Sequence, residues 1–173
     1  MASLVTRRQF VVRLAAAAPA MTLFQPGVAQ SAQDRISRTA EAIHQEVALS
    51  ATARRVYEAL TEAAQFTKVT TFSTVANAPP ARIGRAAGEA FSLFGGHIVG
   101  RHLELVAPQR IVQAWRAADW EAGAYSIAKF TLRDEGGQTT IVFDHTGFPA
   151  GQAEHLAQGW YANYWEPLRR YFA

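Results

Sequence analysis

Residues 156–171 read LAQGWYANYWEPLRRY, and their large apolar residues follow a helical period. These residues recur at intervals of four, at Leu156, Trp160, Tyr164 and Leu168. An interval of four places them on one face of an α-helix, while charged residues occupy much of the rest. The pattern predicts a long C-terminal helix whose aromatic face lies on a core. Pro167 is expected to kink or loosen its last turns.

Before this helix, the chain reads as strands separated by turn residues. Segments rich in β-branched and aromatic residues predict strands over residues 43–49, 69–75, 88–94, 97–106, 110–117, 125–133 and 138–146. A short helix with Val56 and Leu60 inward is expected over residues 53–60, followed by a second helical turn over residues 61–68. An antiparallel sheet with one long helix across a face is an α+β fold of two layers.

The first 29 residues have the features of an export signal. Residues 6–11, TRRQFV, fit the twin-arginine pattern, and an apolar stretch and a small-residue cleavage site follow. We therefore expect cleavage near Ala29, a flexible arm over residues 30–40 and one folded domain over residues 41–173. The mature protein is expected in the periplasm or outside the cell, without a stable membrane anchor. The export machinery is the expected partner of Arg7 and Arg8.

The composition excludes several classes of function. The 173 residues include no cysteine, which excludes disulfides, thiolate metal sites and cysteine nucleophiles. Three of the 17 Lys and Arg residues lie in the first 29 residues, so the rest of the chain balances 14 basic against 14 acidic residues. Such a balance does not favour nucleic-acid binding. The histidine spacings match no metal site, and neither a phosphate-binding loop nor a nucleophile elbow occurs, so no metal or cofactor is expected.

Several motifs occur in the order found in one known family. They are GEAFSLFGG at residues 88–96, RIVQAWR at 110–116, DW at 119–120, HTGFP at 145–149, GW at 159–160 and YWEPL at 164–168. Over residues 41–172 the chain thereby resembles START-like (SRPBCC) proteins of the family related to the C-terminal domain of the activator of the ninety-kilodalton heat-shock protein ATPase. The resemblance implies a helix-grip fold. In that fold a curved antiparallel sheet of about seven strands wraps around the last helix, two short helices follow the first strand, and a cavity lies between sheet and helix.

A set of aromatic residues is expected to converge between the sheet and this helix. The candidate ligand-binding residues are Trp115, Phe130, Phe143, His145, Trp160 and Tyr164. The same set would serve as core packing if it left no space. His145 shares a strand face with Phe143, so it either orients a ligand or bonds to backbone at the end of the strand.

These observations favour a non-catalytic domain that binds a small hydrophobic molecule in the cavity. Because one fold hosts many functions, three alternatives stay open. They are a protein-binding module like the chaperone-ATPase activators, a START-like enzyme of the cyclase or hydrolase type, and a protein-binding surface on the outer sheet face. Export argues against a cytosolic chaperone as partner. For an enzyme, His145 is the one acid–base candidate in the expected cavity.

The export signal can be tested by replacing Arg7 and Arg8 together with lysine. Because the twin-arginine route reads the arginine pair, the variant is expected to stay in the cytoplasm at full length, while the wild type loses about thirty residues. Immunoblots of cell fractions measure both length and location. Normal export of the double variant would contradict the assignment.

Overall fold

The computed structural model describes residues 41–75 and 77–173, so the predicted signal and arm lie outside the described residues. Within those ranges, no helix is both long and apolar enough to span a membrane. The elements are β1 Ala42–Leu49, α1 Ala53–Thr61, α2 Ala63–Thr70, β2 Arg82–Ile83, β3 Ala90–Leu93, β4 Ile98–Val106, β5 Arg110–Ala117, β6 Ser126–Asp134, β7 Thr139–Thr146, α3 Ala153–Trp160 and α4 Glu166–Tyr171.

The seven strands form one antiparallel sheet in the order β1-β7-β6-β5-β4-β3-β2. The strands from β2 to β7 follow one another as a meander, and β1 pairs with β7 at the far edge. Alternation decides which face is covered: on β5, Ile111, Trp115 and Ala117 are buried, whereas Val112 and Arg116 are half-buried on the outer face. The predicted α+β fold, with two short helices after the first strand and a long C-terminal helix, is confirmed.

One predicted strand is wrong. The segment 69–75 does not form a strand, because α2 continues to Thr70 and residues 71–75 form turns and bends. Phe66 and Val69 are three residues apart and both buried, which is the spacing of one helical face. The second strand of the sheet is instead the two-residue β2.

The threonines of this segment explain the error. Threonine favours strands because its side chain is branched at Cβ. In a helix, however, its hydroxyl can donate to a carbonyl of the preceding turn. Thr70 Oγ1 donates to Thr67 O at 2.9 Å, and Thr71 Oγ1 donates to Lys68 O at 2.7 Å. Burial of the apolar face of α2 therefore outweighs the strand propensity of its threonines.

The C-terminal helix contains a π turn, Tyr161–Trp165, which joins α3 to α4. In this turn the Glu166 N–H donates to Tyr161 O, five residues earlier. Pro167 explains the position of the π turn. In a regular α-helix the N–H of residue 167 would donate to Asn163 O, but proline has no N–H and its ring would press against that carbonyl. A wider turn relieves both problems. The predicted loosening at Pro167 thus takes the form of a π turn.

This π turn places two adjacent aromatic residues against the sheet. Tyr164 lies four residues after Trp160, as predicted, and Trp165 lies five residues after it; both are buried. Trp165 Nε1 donates to Gln45 Oε1 at 2.6 Å, and Gln45 Nε2 donates to Ala157 O at 3.2 Å. One side chain of β1 therefore holds both α3 and the end of the π turn.

Replacing Trp160 with alanine should cost about 3 to 5 kcal/mol of unfolding free energy, since the indole is 2% exposed and the surrounding rings cannot close the space. Tyr161→Ala is the matched control, because the neighbouring Tyr161 is 51% exposed and should cost under about 1 kcal/mol. Urea unfolding at equilibrium measures both variants. A Trp160→Ala cost as small as that of the control would show that the helix face is not packed as described.

Candidate functional site

A cavity of about 180 Å³ lies between the C-terminal helix and the β3–β4–β5 end of the sheet. Its apolar wall is formed by Val75, Phe94, Ile98, Trp115, Ala117, Trp120, Leu156, Trp160 and Tyr164. Its polar lining residues are exposed or half-buried, and they are His97, Asp119, Gln152, His155 and Asn163. The cavity therefore has an apolar interior and a polar opening to solvent.

Three of the six predicted ligand-binding residues line this cavity, namely Trp115, Trp160 and Tyr164. The other three, Phe130, Phe143 and His145, lie in the packed core. The Phe143 ring is 4.4 Å from the Trp160 ring and 4.9 Å from the Phe130 ring, measured between centroids. These distances are those of aromatic rings in close contact. The aromatic set thus divides into a core part and a cavity wall, with Trp160 belonging to both.

His145 is fully buried and uses both ring nitrogens inside the protein. Trp160 Nε1 donates to His145 Nδ1 at 3.0 Å, which leaves the ring proton on Nε2 in the neutral form because an indole nitrogen can only donate. His145 Nε2 is 2.7 Å from Ser126 Oγ, and Ser126 Oγ donates to Trp115 O at 2.9 Å. The bonds therefore run from the helix through His145 to β6 and β5.

This arrangement determines the chemistry of His145. Burial lowers the pKa of His145 to about 4, so the ring is neutral at ordinary pH. A ring with no free nitrogen and a low pKa can neither orient a ligand nor act as a base. The two predicted roles for His145 were orienting a ligand and bonding to backbone. In the structure its ring bonds instead to the side chains of Trp160 and Ser126. His145 positions Trp160 through side-chain hydrogen bonds.

Two polar atoms of the cavity wall have no hydrogen-bond partner among the described residues. They are the indole nitrogen of Trp115 and the hydroxyl of Tyr164; neither atom is accessible to solvent, and the two whole residues are 3% and 5% exposed. Burial raises the pKa of Tyr164, and the nearby Trp115 N–H offsets part of that rise without completing a hydrogen bond. The Tyr164 hydroxyl therefore keeps its proton and remains available to donate.

Gly159 keeps this space open. It lines the cavity from the last turn of α3, where the helix continues into the π turn, and a Cβ built at Gly159 would meet no atom within 4 Å. Glycine inside a helix costs about 0.5 to 1 kcal/mol relative to alanine, so its place here is not explained by helix stability. The sequence carried this signal, since Gly159 is three residues after Leu156 and four before Asn163, on the cavity side of the helix.

The polar opening was not predicted from the sequence. Asn163 is held in place by Thr74, whose N–H and hydroxyl donate to Asn163 Oδ1 at 3.2 Å and 2.7 Å. Trp120 closes another side, and the Arg116 guanidinium donates to its carbonyl oxygen. These residues come from separate parts of the chain, so only the fold brings them together. Within the described residues, no group of three or more His, Cys, Asp or Glu could hold a metal ion.

The buried neutral state of His145 predicts an acid-dependent loss of stability. The unfolded histidine binds a proton near its ordinary pKa of 6.5, but the folded one resists protonation until about 4. The contribution of His145 to the free energy of unfolding is therefore complete above about pH 6.5. As the pH falls toward 4, the free energy of unfolding decreases by about 3 kcal/mol.

Urea unfolding over this pH range tests the prediction in wild type, His145→Gln and His155→Gln. His145→Gln removes the titrating ring and should flatten this part of the pH profile, while the exposed control His155→Gln should follow wild type. Burial also lowers the pKa of His102, but His102 is common to all three proteins. Parallel profiles for wild type and His145→Gln would contradict the assignment.

The family described as Activator of Hsp90 ATPase homolog 1-like protein matches residues 50–173. The activator of 90 kDa heat shock protein ATPase homolog 1 of Homo sapiens is 30% identical over 93 residues, covering 54% of this chain and 28% of the human protein. An uncharacterized protein of Schizosaccharomyces pombe is 38% identical over 96 residues, covering 55% of this chain and 28% of that protein. The matched segment thus spans under a third of either relative.

Solved structures share the fold. An HSP90 activator from Plasmodium falciparum superposes with a TM-score of 0.64 at 24% identity, covering 71% of this chain and 89% of that chain. CalU16 from Micromonospora echinospora superposes with a TM-score of 0.63 at 19% identity, covering 78% and 77%. With the family match extending from the end of β1 to the last residue, the chain belongs to the Activator of Hsp90 ATPase homolog 1-like family.

Proposed function

We propose that this protein is a non-catalytic binding domain that takes a small, mainly apolar molecule into the cavity between the sheet and the C-terminal helix. The observation that carries the proposal is the cavity itself, which is walled by Trp115, Trp160 and Tyr164 and kept open by Gly159. An apolar space with a few polar groups and a polar opening is typical of small-molecule sites.

The volume limits the size of the ligand. Ligand sites for drug-sized molecules are roughly 300 to 1,000 Å³, whereas an engineered apolar cavity of about 150 Å³ holds benzene. A cavity of about 180 Å³ therefore fits one ring with a short substituent. A long fatty acid or isoprenoid could place only part of its chain in this space, and the rest would extend through the polar opening. We therefore narrow the hydrophobic ligand to a compact molecule.

Binding without catalysis follows from the titratable groups. The hydrogen bonds of His145 occupy both of its nitrogens, so it cannot transfer a proton to a ligand. The remaining titratable residues of the cavity, apart from Tyr164, are His97, Asp119 and His155, and all three are exposed at the opening. General acid–base catalysis needs groups held within hydrogen-bond reach of the reacting atoms. Among the described residues, the interior of the cavity therefore holds no base placed for such a step.

A second candidate function is a protein-binding module that acts on a chaperone. The family match over residues 50–173 favours it, since the human relative is named as an activator of a heat-shock protein ATPase. The outer sheet face would be the natural contact surface, because Leu103 and Ile127 are 47% and 40% exposed there. Stimulation of the ATPase rate of a purified 90 kDa heat-shock protein by this protein would support this candidate.

We also propose that the mature domain works outside the cytoplasm. The support is the twin-arginine pattern at residues 6–11 and the small residues before position 30. An exported domain would not meet a cytosolic ATP-driven chaperone, so export and small-molecule binding support each other. Location therefore discriminates between the two candidate functions.

Filling the cavity from Gly159 tests the binding function. Gly159→Leu should place an apolar side chain in the cavity and weaken binding of one-ring probes such as ethylbenzene by more than about tenfold. Gly159→Ala is the matched control: it should raise the unfolding free energy by about 0.5 to 1 kcal/mol and keep most of the binding.

Tryptophan fluorescence quenching measures the affinity, and thermal unfolding shows that each variant is folded. If ethylbenzene and similar one-ring probes bind wild type and Gly159→Leu equally, the site lies elsewhere. If no probe of this size binds the wild type, the proposed function is wrong.

A further inference from the structure

We infer that the cavity selects organic cations, in which one apolar ring lies inside the cavity and an ammonium group stays at its polar opening. This inference rests on the proposed function and names the class of ligand for the same site. The observation that carries it is the charge of the opening. Asp119 is the one described lining residue with a formal charge when histidines are neutral.

Asp119 is available to act on a ligand. It is exposed, and it forms no ion pair with any described residue. The nearest basic residue along the chain is Arg116, whose guanidinium donates instead to the carbonyl oxygens of Trp120 and Glu121. The carboxylate of Asp119 is therefore not neutralised by an ion pair, so it attracts a cation and repels an anion.

The segments around the opening add no excess of positive charge. The cavity is lined by Val75 and by residues within segments 94–98, 115–120 and 152–164. In these three segments Arg116 is the one basic residue besides histidine, against the acidic Asp119 and Glu154. An anionic ligand would therefore meet a net negative charge, whereas a cationic ligand is attracted by it.

The aromatic wall favours the same class of ligand. Aromatic rings attract ammonium groups because the ring faces are electron-rich, and indole rings do so most strongly. Trp120 follows Asp119 directly in the chain, and at 9% exposure it is the most accessible aromatic residue of the wall. Trp120 and Asp119 are therefore the ring and the carboxylate that a group at the opening meets.

A charge at the opening avoids the cost of burying an ion. A charged group placed in the apolar interior would lose its hydration, which is unfavourable. The polar lining residues of the opening are exposed or half-buried, so an ammonium group there keeps its contact with water. The ring alone then enters the space of about 180 Å³. One aromatic ring with a short ammonium substituent is the best match to this arrangement.

The test uses two probes of the same shape, phenyltrimethylammonium and tert-butylbenzene, which differ in the charged nitrogen that replaces a carbon. Tryptophan fluorescence quenching measures their affinities at about pH 8, where exposed histidines are neutral, for wild type, Asp119→Asn and Asp119→Lys. We expect phenyltrimethylammonium to lose roughly twofold to fivefold in affinity on Asp119→Asn and roughly fivefold to twentyfold on Asp119→Lys, because the attraction is first removed and then reversed. For tert-butylbenzene the affinity should change by less than about twofold.

Glu135→Lys is the matched control for the change in net charge. Glu135 is exposed in the turn after β6, at the opposite end of that strand from Ser126, which pairs with Trp115. Both probes should bind Glu135→Lys within about twofold of wild type, since a distant exposed charge is screened by salt. Gly159→Leu should weaken both probes, which shows that they occupy the cavity. Thermal unfolding shows that each variant is folded.

The outcomes separate the inference from the proposed function. If tert-butylbenzene binds wild type but phenyltrimethylammonium does not, the inference is overturned while cavity binding stands. Equal losses of phenyltrimethylammonium affinity in Asp119→Lys and Glu135→Lys, or equal losses for both probes in Asp119→Lys, would also overturn it. If neither probe binds the wild type while ethylbenzene does, the inference alone fails. If none of the three compounds binds, the inference and the proposed function both fail.

Discussion

The hydrogen bond from Trp160 Nε1 to His145 Nδ1 is the interaction on which the relation between helix and sheet depends. Trp160 belongs to both the packed aromatic core and the cavity wall. Because its N–H is directional, the bond fixes the rotation of the indole as well as its depth. The ring then contacts Phe143 in the core as well as Trp115 and Tyr164 in the cavity wall. The core is closed and the cavity is bounded by the same ring.

The bond between Trp160 and His145 explains how the other buried polar groups nearby are paired. A histidine that accepts at Nδ1 must donate from Nε2, and Ser126 provides that acceptor and passes its own proton to a β5 carbonyl. Every member of this network has a partner, so its burial is not destabilising in the way that an unpaired group would be. The low pKa of His145 follows from the same burial and keeps the network neutral. A neutral, satisfied network can support a rigid wall without itself reacting with a ligand.

The sequence predicted those features that follow a strong local period and missed those that depend on tertiary contacts. The helix face of Trp160 and Tyr164 was found because intervals of four dictate it. The burial of Trp165 was missed because it requires a π turn, and Pro167 indicates a perturbed helix without stating its form. The strand over residues 69–75 was wrong because threonine hydroxyls and the buried Phe66 favour a helix there. Of the site, the aromatic residues were predicted, but their division into core and wall depends on which rings touch.

The composition of the cavity supports the proposal that it is a binding site. Four buried side-chain atoms lack a partner among the described residues: two belong to His102, at the bulge of β4, and the other two line the cavity. Phenylalanine at position 164 and alanine at position 159 would fill space or remove an unpaired group at little cost to the fold. A fold that satisfies His145 and Ser126 completely is able to pair buried polar atoms where only stability is at stake. Gly159 and the unpaired hydroxyl of Tyr164 both belong to residues that line the cavity, and this departure from the most stable choice supports the proposed binding function.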